Sequence, residues 1–126
     1  MPEKTLTIAI VTKQRPEKLA RCLESIIDQI VKPTTITVVD NDPAMSATKI
    51  CQEFENKLPI RYLTDSTQGT PQARNRALIE CETEFCAFID DDCVLDKHWV
   101  EVGLKTMENP DATYVVGNSL VLNDKS

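Results

Sequence analysis

Long apolar runs are missing from this chain. No stretch approaches the ~20 consecutive apolar residues that span a bilayer, so a transmembrane helix is not expected. A secretory leader is not expected either. The opening MPEKTLTIAIVT passes straight into polar KQRPEK with no small-residue cleavage site, and reads as a strand. These absences lead us to expect a cytoplasmic chain, at most peripheral to a membrane. A basic excess is also absent. Lys and Arg number 14 against 20 Asp and Glu, for a net charge of -6. Counterion-release binding to nucleic acid is therefore disfavoured, as is binding to an acidic membrane surface. A small anionic ligand remains compatible, because a metal ion or local arginines can invert the field at one site.

Several catalytic and cofactor spacings are lacking. The five cysteines, Cys22, Cys51, Cys81, Cys86 and Cys93, contain no CxxC pair and read as reduced, mostly buried small hydrophobes. The single histidine, His98, excludes a two-histidine metal site or a His–His relay, and there is no G-x-S-x-G turn to present a serine. Neither G-x-G-x-x-G nor G-x-x-x-x-G-K-[ST] occurs, so Rossmann dinucleotide and P-loop phosphate binding are unsupported. Repeats, low-complexity tracts and linkers are absent. What remains is 126 residues, 41% hydrophobic and 27% charged, which suits one globular domain with its own core.

Strand and helix signals alternate. Strands are expected at Thr5–Thr12, Thr35–Val39, Pro59–Leu63 and Glu84–Ile89, with strand character returning over Ala112–Leu122 and interrupted at Gly117. Pro16–Gln29 reads as a helix with proline at its first position and Leu19, Cys22, Leu23, Ile26, Ile27 and Ile30 inward. Further helices are expected over Met45–Asn56, over Pro71–Glu80 with Ala73, Ala77 and Leu78 inward, and over His98–Met107. Trp99, Val102, Leu104 and Met107 are the core candidates of the last. Such alternation predicts a mainly parallel sheet with helices on both faces. Ligands then bind outside the carboxyl ends of the strands, which puts the loops after strands one, two and four at the candidate site.

Asp90-Asp91-Asp92 ends an apolar strand. Alternation sends Asp90 and Asp92 to one side and Asp91 to the other. Carboxylates so close repel one another, and a divalent cation with a preference for oxygen relieves that repulsion. The competing reading is a solvated acidic turn. Asp40-Asn41-Asp42-Pro43 ends the second strand and is either turn chemistry or an acidic contact to a nucleobase or ribose. Arg74 and Arg76 lie in the first turn of their helix, against the macrodipole, and are easier to understand near an anion or the carboxylates. Trp99 reads as core in preference to a stacking platform, and His98 as a surface or capping residue.

Together these loops resemble the GT-A-fold glycosyltransferases of family 2, inverting enzymes that use nucleotide-sugar donors. The matching stretches are TIAIVTKQRPEKLARCLESI, ITVVDND, GTPQARNRAL and EFCAFIDDDCVLDKHWVE, in the family's order across nearly the whole chain. The resemblance implies a Rossmann-like three-layer α/β/α GT-A fold, with strand one beside strand four, cut short before the acceptor half. It implies nucleotide contacts at Thr12, Arg15, Asp40, Arg74 and Asp91, with Asp40 at the base and Asp91 at the ribose. Mg²⁺ or Mn²⁺ would sit on Asp92, with Asp90 as a further ligand, against the diphosphate of the donor. Two departures stand out. The usual Tyr-Asn before Arg15 is Lys13-Gln14, which removes a stacking aromatic and alters base recognition. The usual Ser-x-Asp-x-Thr after Asn41 is loosened over Asp42–Thr48.

The family's catalytic domain is roughly twice as long as this chain, within the range of single domains. Its acceptor half and catalytic-base carboxylate lie past the position of Ser126, and no residue here matches that base. The expectation is therefore the donor- and metal-binding half of a transferase, weak or inactive alone, facing an unknown acceptor. The alternative is a non-catalytic nucleotide-sugar binding or regulatory module. A receiver-type phosphotransfer domain fits less well, because no lysine follows Val116 before Lys125. Apolar surface beside the last strand would be covered by a second copy or by a missing C-terminal part.

Overall fold

Each β-branched run pairs with its neighbours in one sheet, and each amphipathic segment between them packs back onto a face of it. The structure is a computed structural model that describes residues 5–65, 70–106, 116–117 and 120–122. In chain order the elements are β1 (Leu6–Thr12), α1 (Pro16–Ile27), β2 (Thr35–Asp40), α2 (Thr48–Phe54) and β3 (Ile60–Thr64). There follow α3 (Thr70–Glu80), β4 (Phe85–Asp90), α4 (Trp99–Thr106), β5 (Val116–Gly117) and β6 (Leu120–Leu122). The sheet order is β3-β2-β1-β4-β6-β5. β1 pairs in parallel with both β2 and β4, β2 pairs in parallel with β3, and β6 returns antiparallel to β4. The expected adjacency of strands one and four is thus present, and the α/β class is as anticipated.

Alternation along the strands divides the interior in two. Leu6, Ile8, Ile10, Ile36, Val38, Ala87 and Ile89 face the larger cluster, filled by Leu19, Cys22, Leu23 and Ile26 of α1, Cys51 and Phe54 of α2, and Trp99 and Val100 of α4. Ala9, Val39, Cys86 and Phe88 face the other side, where α3 contributes Ala73 and Ala77. Small alanines on α3 let that helix lie close to the sheet.

Four expectations need correction. α1 stops at Ile27, and Ile30 is 58% exposed. Gln29 goes inward in its place, 1% exposed, donating from Nε2 to the Asp96 carbonyl at 2.6 Å and accepting the Val100 N–H at 3.0 Å. That bond fixes the start of α4, so the inward stripe is Trp99, Val100 and Gly103, and Val102 is 56% exposed. α2 begins at Thr48 because Met45 takes a left-handed φ of 58°, which no helix continues. The strand character expected to be interrupted at Gly117 is present as two short antiparallel strands, β5 and β6. The loop expected over Thr67–Pro71 ends sooner, because α3 already begins at Thr70; residues 67–69 and the expected inward placement of Met107 lie outside the described residues.

Candidate functional site

Strand register brings the candidate residues together. Thr12 is level with Asp40, and Val11 with Asp90, so the tips of β1, β2 and β4 open onto one edge. A cleft of about 420 Å³ lies there, lined by the β1 tip and the loop after it (Val11, Thr12, Lys13, Arg15), by Asn41 and Arg74, and by the β4 tip from Phe88 to Asp92. Its charged lining consists of Lys13, Arg15 and Arg74 facing Asp90, Asp91 and Asp92. An acidic chain therefore presents, at this edge, cations beside carboxylates.

The aspartates divide as alternation predicts. Asp91 is buried and accepts a hydrogen bond from the Thr12 hydroxyl at 2.8 Å and from the Arg15 guanidinium at 3.2 Å. Asp90 and Asp92 are exposed. With Cys93 they offer ligand atoms that all lie within 4.8 Å of one another. Two solvent-facing carboxylates at that spacing suit a hard divalent cation. The buried sulfur of Cys93 does not, so the fit rests on Asp90 and Asp92.

The arginines of α3 have separate tasks. Arg74 reaches the cleft with its guanidinium carbon 6.0 Å from the centre of the Phe88 ring. Arg76 is tied elsewhere, donating to the Thr64 carbonyl at 3.0 Å and to Glu80 at 3.4 Å. Arg61 of β3 donates to the same Glu80 side chain at 2.7 Å and to its carbonyl at 2.8 Å, which fastens the C-terminal end of α3 to the sheet.

Asp40 is placed differently from the other expected contacts. It is 0% exposed and does not line the cleft. Its carboxylate accepts the N–H of Asp42 at 3.1 Å, the N–H of Ala47 at 2.9 Å and the Tyr62 hydroxyl at 2.7 Å. In this arrangement a direct contact between Asp40 and a base would require residues 42–47 to move. Asn41 lines the cleft in its stead, its N–H donating to the Thr12 carbonyl at 2.8 Å. Burial, with Asp40 beside it, pushes the Tyr62 phenol up to about 12, so it remains a donor at neutral pH. Asp42 accepts from the Ala44 N–H, which, with Ser46 and Gln14, holds its carboxyl below the usual range.

The remaining candidates lie away from the cleft. Trp99 is in the main core, its indole N–H without a partner among the described residues. His98 is exposed and pairs with Glu101 at 3.0 Å. Phe88 and Asn41 were not anticipated as lining residues. The two-residue period of β4 is the signal for Phe88, since it shares a strand face with Asp90.

Comparison with known proteins gives a family and a fold. The family model described as Glycosyl transferase family 2 matches residues 7–126. The glycosyltransferase GlyA of Streptococcus pneumoniae serotype 4 is 29% identical over 120 residues, which cover 94% of this chain and 17% of the relative. The succinoglycan biosynthesis protein ExoM of Rhizobium meliloti is 32% identical over 124 residues, 93% of this chain and 40% of the relative. The chain thus spans less than half the length of these relatives. Among solved structures, S. aureus TarS in complex with UDP-GlcNAc superposes with a TM-score of 0.79 at 22% identity, over 87% of this chain and 33% of that one. The mannosyltransferase PcManGT from Pyrobaculum calidifontis in complex with GDP-Man and Mn²⁺ gives 0.78 at 21% identity, over 90% and 35%. At these identities the likeness to the solved structures is one of fold.

Proposed function

Since the chain belongs to glycosyl transferase family 2 and has a GT-A fold, we propose that its cleft binds a nucleoside diphosphate sugar, which the protein transfers to an acceptor hydroxyl with inversion. The observation that carries this reading is the meeting of Thr12, Arg15 and Asp91 in a cleft whose rim holds Asp90 and Asp92. Complexes of the similar folds with UDP-GlcNAc and with GDP-Man and Mn²⁺ support the donor class.

Asp91, oriented by Thr12 and Arg15, presents carboxylate oxygens of fixed direction to ribose hydroxyls. Arg15 and Arg74 set positive charge beside the diphosphate. Asp90 and Asp92 are the residues that would hold Mg²⁺ or Mn²⁺. Such an ion, when bound, neutralises charge on the departing nucleoside diphosphate. Inverting attack also needs a base within hydrogen-bond reach of the acceptor hydroxyl, and we assign no described residue to that task. The part of the reaction placed on this chain is binding and orienting the donor.

Calorimetry with UDP- and GDP-sugars, with and without Mn²⁺, tests the assignment. Metal-dependent binding is expected. Asp92→Ala should weaken it by more than about tenfold, the loss that even an outer-shell partner of a metal site can cause. Absence of metal-dependent binding to either donor type would sink the reading. Sugar transfer or donor hydrolysis by the purified chain, abolished by Asp92→Ala, would separate an enzyme from a module that only binds.

A further inference from the structure

We propose that Cys81 and Cys86 are a redox-active thiol pair, oxidised by hydrogen peroxide to a disulfide that fastens the end of α3 to β4. Cys81 directly follows α3, and Cys86 is the second residue of β4. Cys86 belongs to the smaller core cluster between α3 and the sheet, and Cys81 packs against that cluster. The Cys86 thiol donates a hydrogen bond to the Cys81 sulfur. Their exposures differ. Cys81 is partly exposed, whereas Cys86 is buried. One sulfur can therefore meet a small oxidant from solvent while the other waits behind it. Cys22, Cys51 and Cys93 lie in the larger cluster, on the opposite face of the sheet. The pair stands at the amino ends of β1 and β4, and the donor cleft at their carboxyl ends.

Two hydroxyls complete the cluster. The Cys81 sulfur lies 3.3 Å from the Thr83 hydroxyl, which lies 2.6 Å from the Thr7 hydroxyl. Thr7 is level with Cys86 on the neighbouring strand, so the two share a face of the sheet. The turn between the cysteines is pinned to Thr5. Its hydroxyl accepts the Glu84 N–H at 2.8 Å and its carbonyl the Phe85 N–H at 3.0 Å. Against the effect of burial, hydrogen bonds with Thr83, Thr7 and Cys86 hold the Cys81 thiol below its ordinary value. Burial, with Cys81 beside it, pushes Cys86 up to about 12. The thiolate is the nucleophile, so Cys81 reacts first. Its sulfur attacks one oxygen of the peroxide. An S–O bond forms as the O–O bond breaks, giving the sulfenic acid, and the departing hydroxide takes up the proton that Cys81 released. The Cys86 sulfur then attacks that of Cys81. The S–S bond forms, the S–O bond breaks, and the hydroxide leaves as water with the Cys86 proton. The thiols together lose two electrons, and the peroxide is reduced to two waters.

The test is thiol mapping of the whole chain. The reduced protein is exposed to hydrogen peroxide at neutral pH, unfolded, alkylated, and cut after Glu82 and Glu84, which separates the two cysteines onto different peptides. The expected product has lost two hydrogens from its mass and two alkylatable thiols. Its peptides carrying Cys81 and Cys86 are joined, dithiothreitol separates them, and Cys22, Cys51 and Cys93 are alkylated as in the untreated protein. Cys86→Ala removes the second sulfur, so Cys81 should then be captured by dimedone as the sulfenic acid. In Cys81→Ser, Cys86 should stay a thiol. The wild-type map decides even if either variant fails to fold. Any of three results overturns the proposal: Cys81 driven to the sulfinic acid with Cys86 still alkylated, a disulfide that joins either residue to another cysteine or another chain, or both thiols intact after an exposure that oxidises free cysteine in solution.

Discussion

Gln14 and Met45 both hold φ values in the left-handed region, 57° and 58°, in the loops after two of the strands that frame the cleft. For Gln14 the cost is offset by bonds to Ser46 and Asp42. Met45 is 46% exposed and its side chain contributes little. Met45→Gly should therefore raise stability by about 0.5–1 kcal/mol, read from the denaturation midpoint, while Met45→Ile should lower it. The cysteines permit a second test at this scale. Burial pushes Cys22, Cys51 and Cys86 up to about 12. Burial opposes ionisation of Cys81 too, but hydrogen bonds with Thr83 outweigh it and hold this partly buried thiol below its ordinary value. A thiol reagent at neutral pH should modify Cys81 first, and the other three only on unfolding. A faster reaction at Cys22, Cys51 or Cys86 would contradict this order. The divided orientation of the three aspartates was legible in the sequence, because strand alternation is local. The burial of Asp40 was not, because the Tyr62 hydroxyl that helps satisfy it is 22 residues away.

At the scale of elements, α1 and α4 illustrate how a polar residue resets a helix face. Helical spacing alone extends the apolar stripe of α1 to Ile30, whereas Gln29 enters the core and its amide joins Ser25, Asp96 and Val100. Gln29→Ala should lower stability by about 2–3 kcal/mol, since it leaves buried backbone groups without partners. Equilibrium urea denaturation measures the change, and a loss under ~0.5 kcal/mol, the size of a surface substitution, would reject this role. α3 is held at its far end by Arg61 and Arg76 on Glu80. These ions are partly exposed and contribute modestly to stability. Their stronger consequence is geometric: they separate Arg76 from the cleft and leave Arg74 to face it.

For the molecule as a whole, stability should have a plateau bounded by two titrations. Hydrogen bonds from Ala44 hold Asp42, and His98 holds Glu101, below the ordinary carboxylate range when folded. The unfolded chain then takes up protons first as pH falls. Their contribution is complete above about pH 5 and is lost as pH drops through the folded values. The buried thiols shift the other way, from 9.0 to about 12, and the Tyr62 phenol from 10.0 to about 12. Stability from these groups is intact below their unfolded values and declines as pH rises from 9.0 toward about 12. Denaturation midpoints measured across pH should decline on both sides, and a midpoint that kept rising above pH 9.0 would contradict the thiol assignment. Among the described residues no helix is long and apolar enough to cross a membrane, in line with the lack of apolar runs.

Residue order alone settles the alternation of strand and helix, the parallel α/β class and the placement of acidic residues at strand tips, because side-chain periodicity and turn chemistry act over a few neighbours. Family motifs add the expected role of those tips. Which tip residues face the cleft is decided only when β1 lies between β2 and β4. Register then sets Thr12 and Arg15 on Asp91, draws Asp40 under Tyr62, and turns Arg74 inward while Glu80 keeps Arg76 away. The partners of Asp91 and of Asp40 are far apart along the chain, and hydrogen bonding at such separations follows strand pairing, which local sequence does not encode.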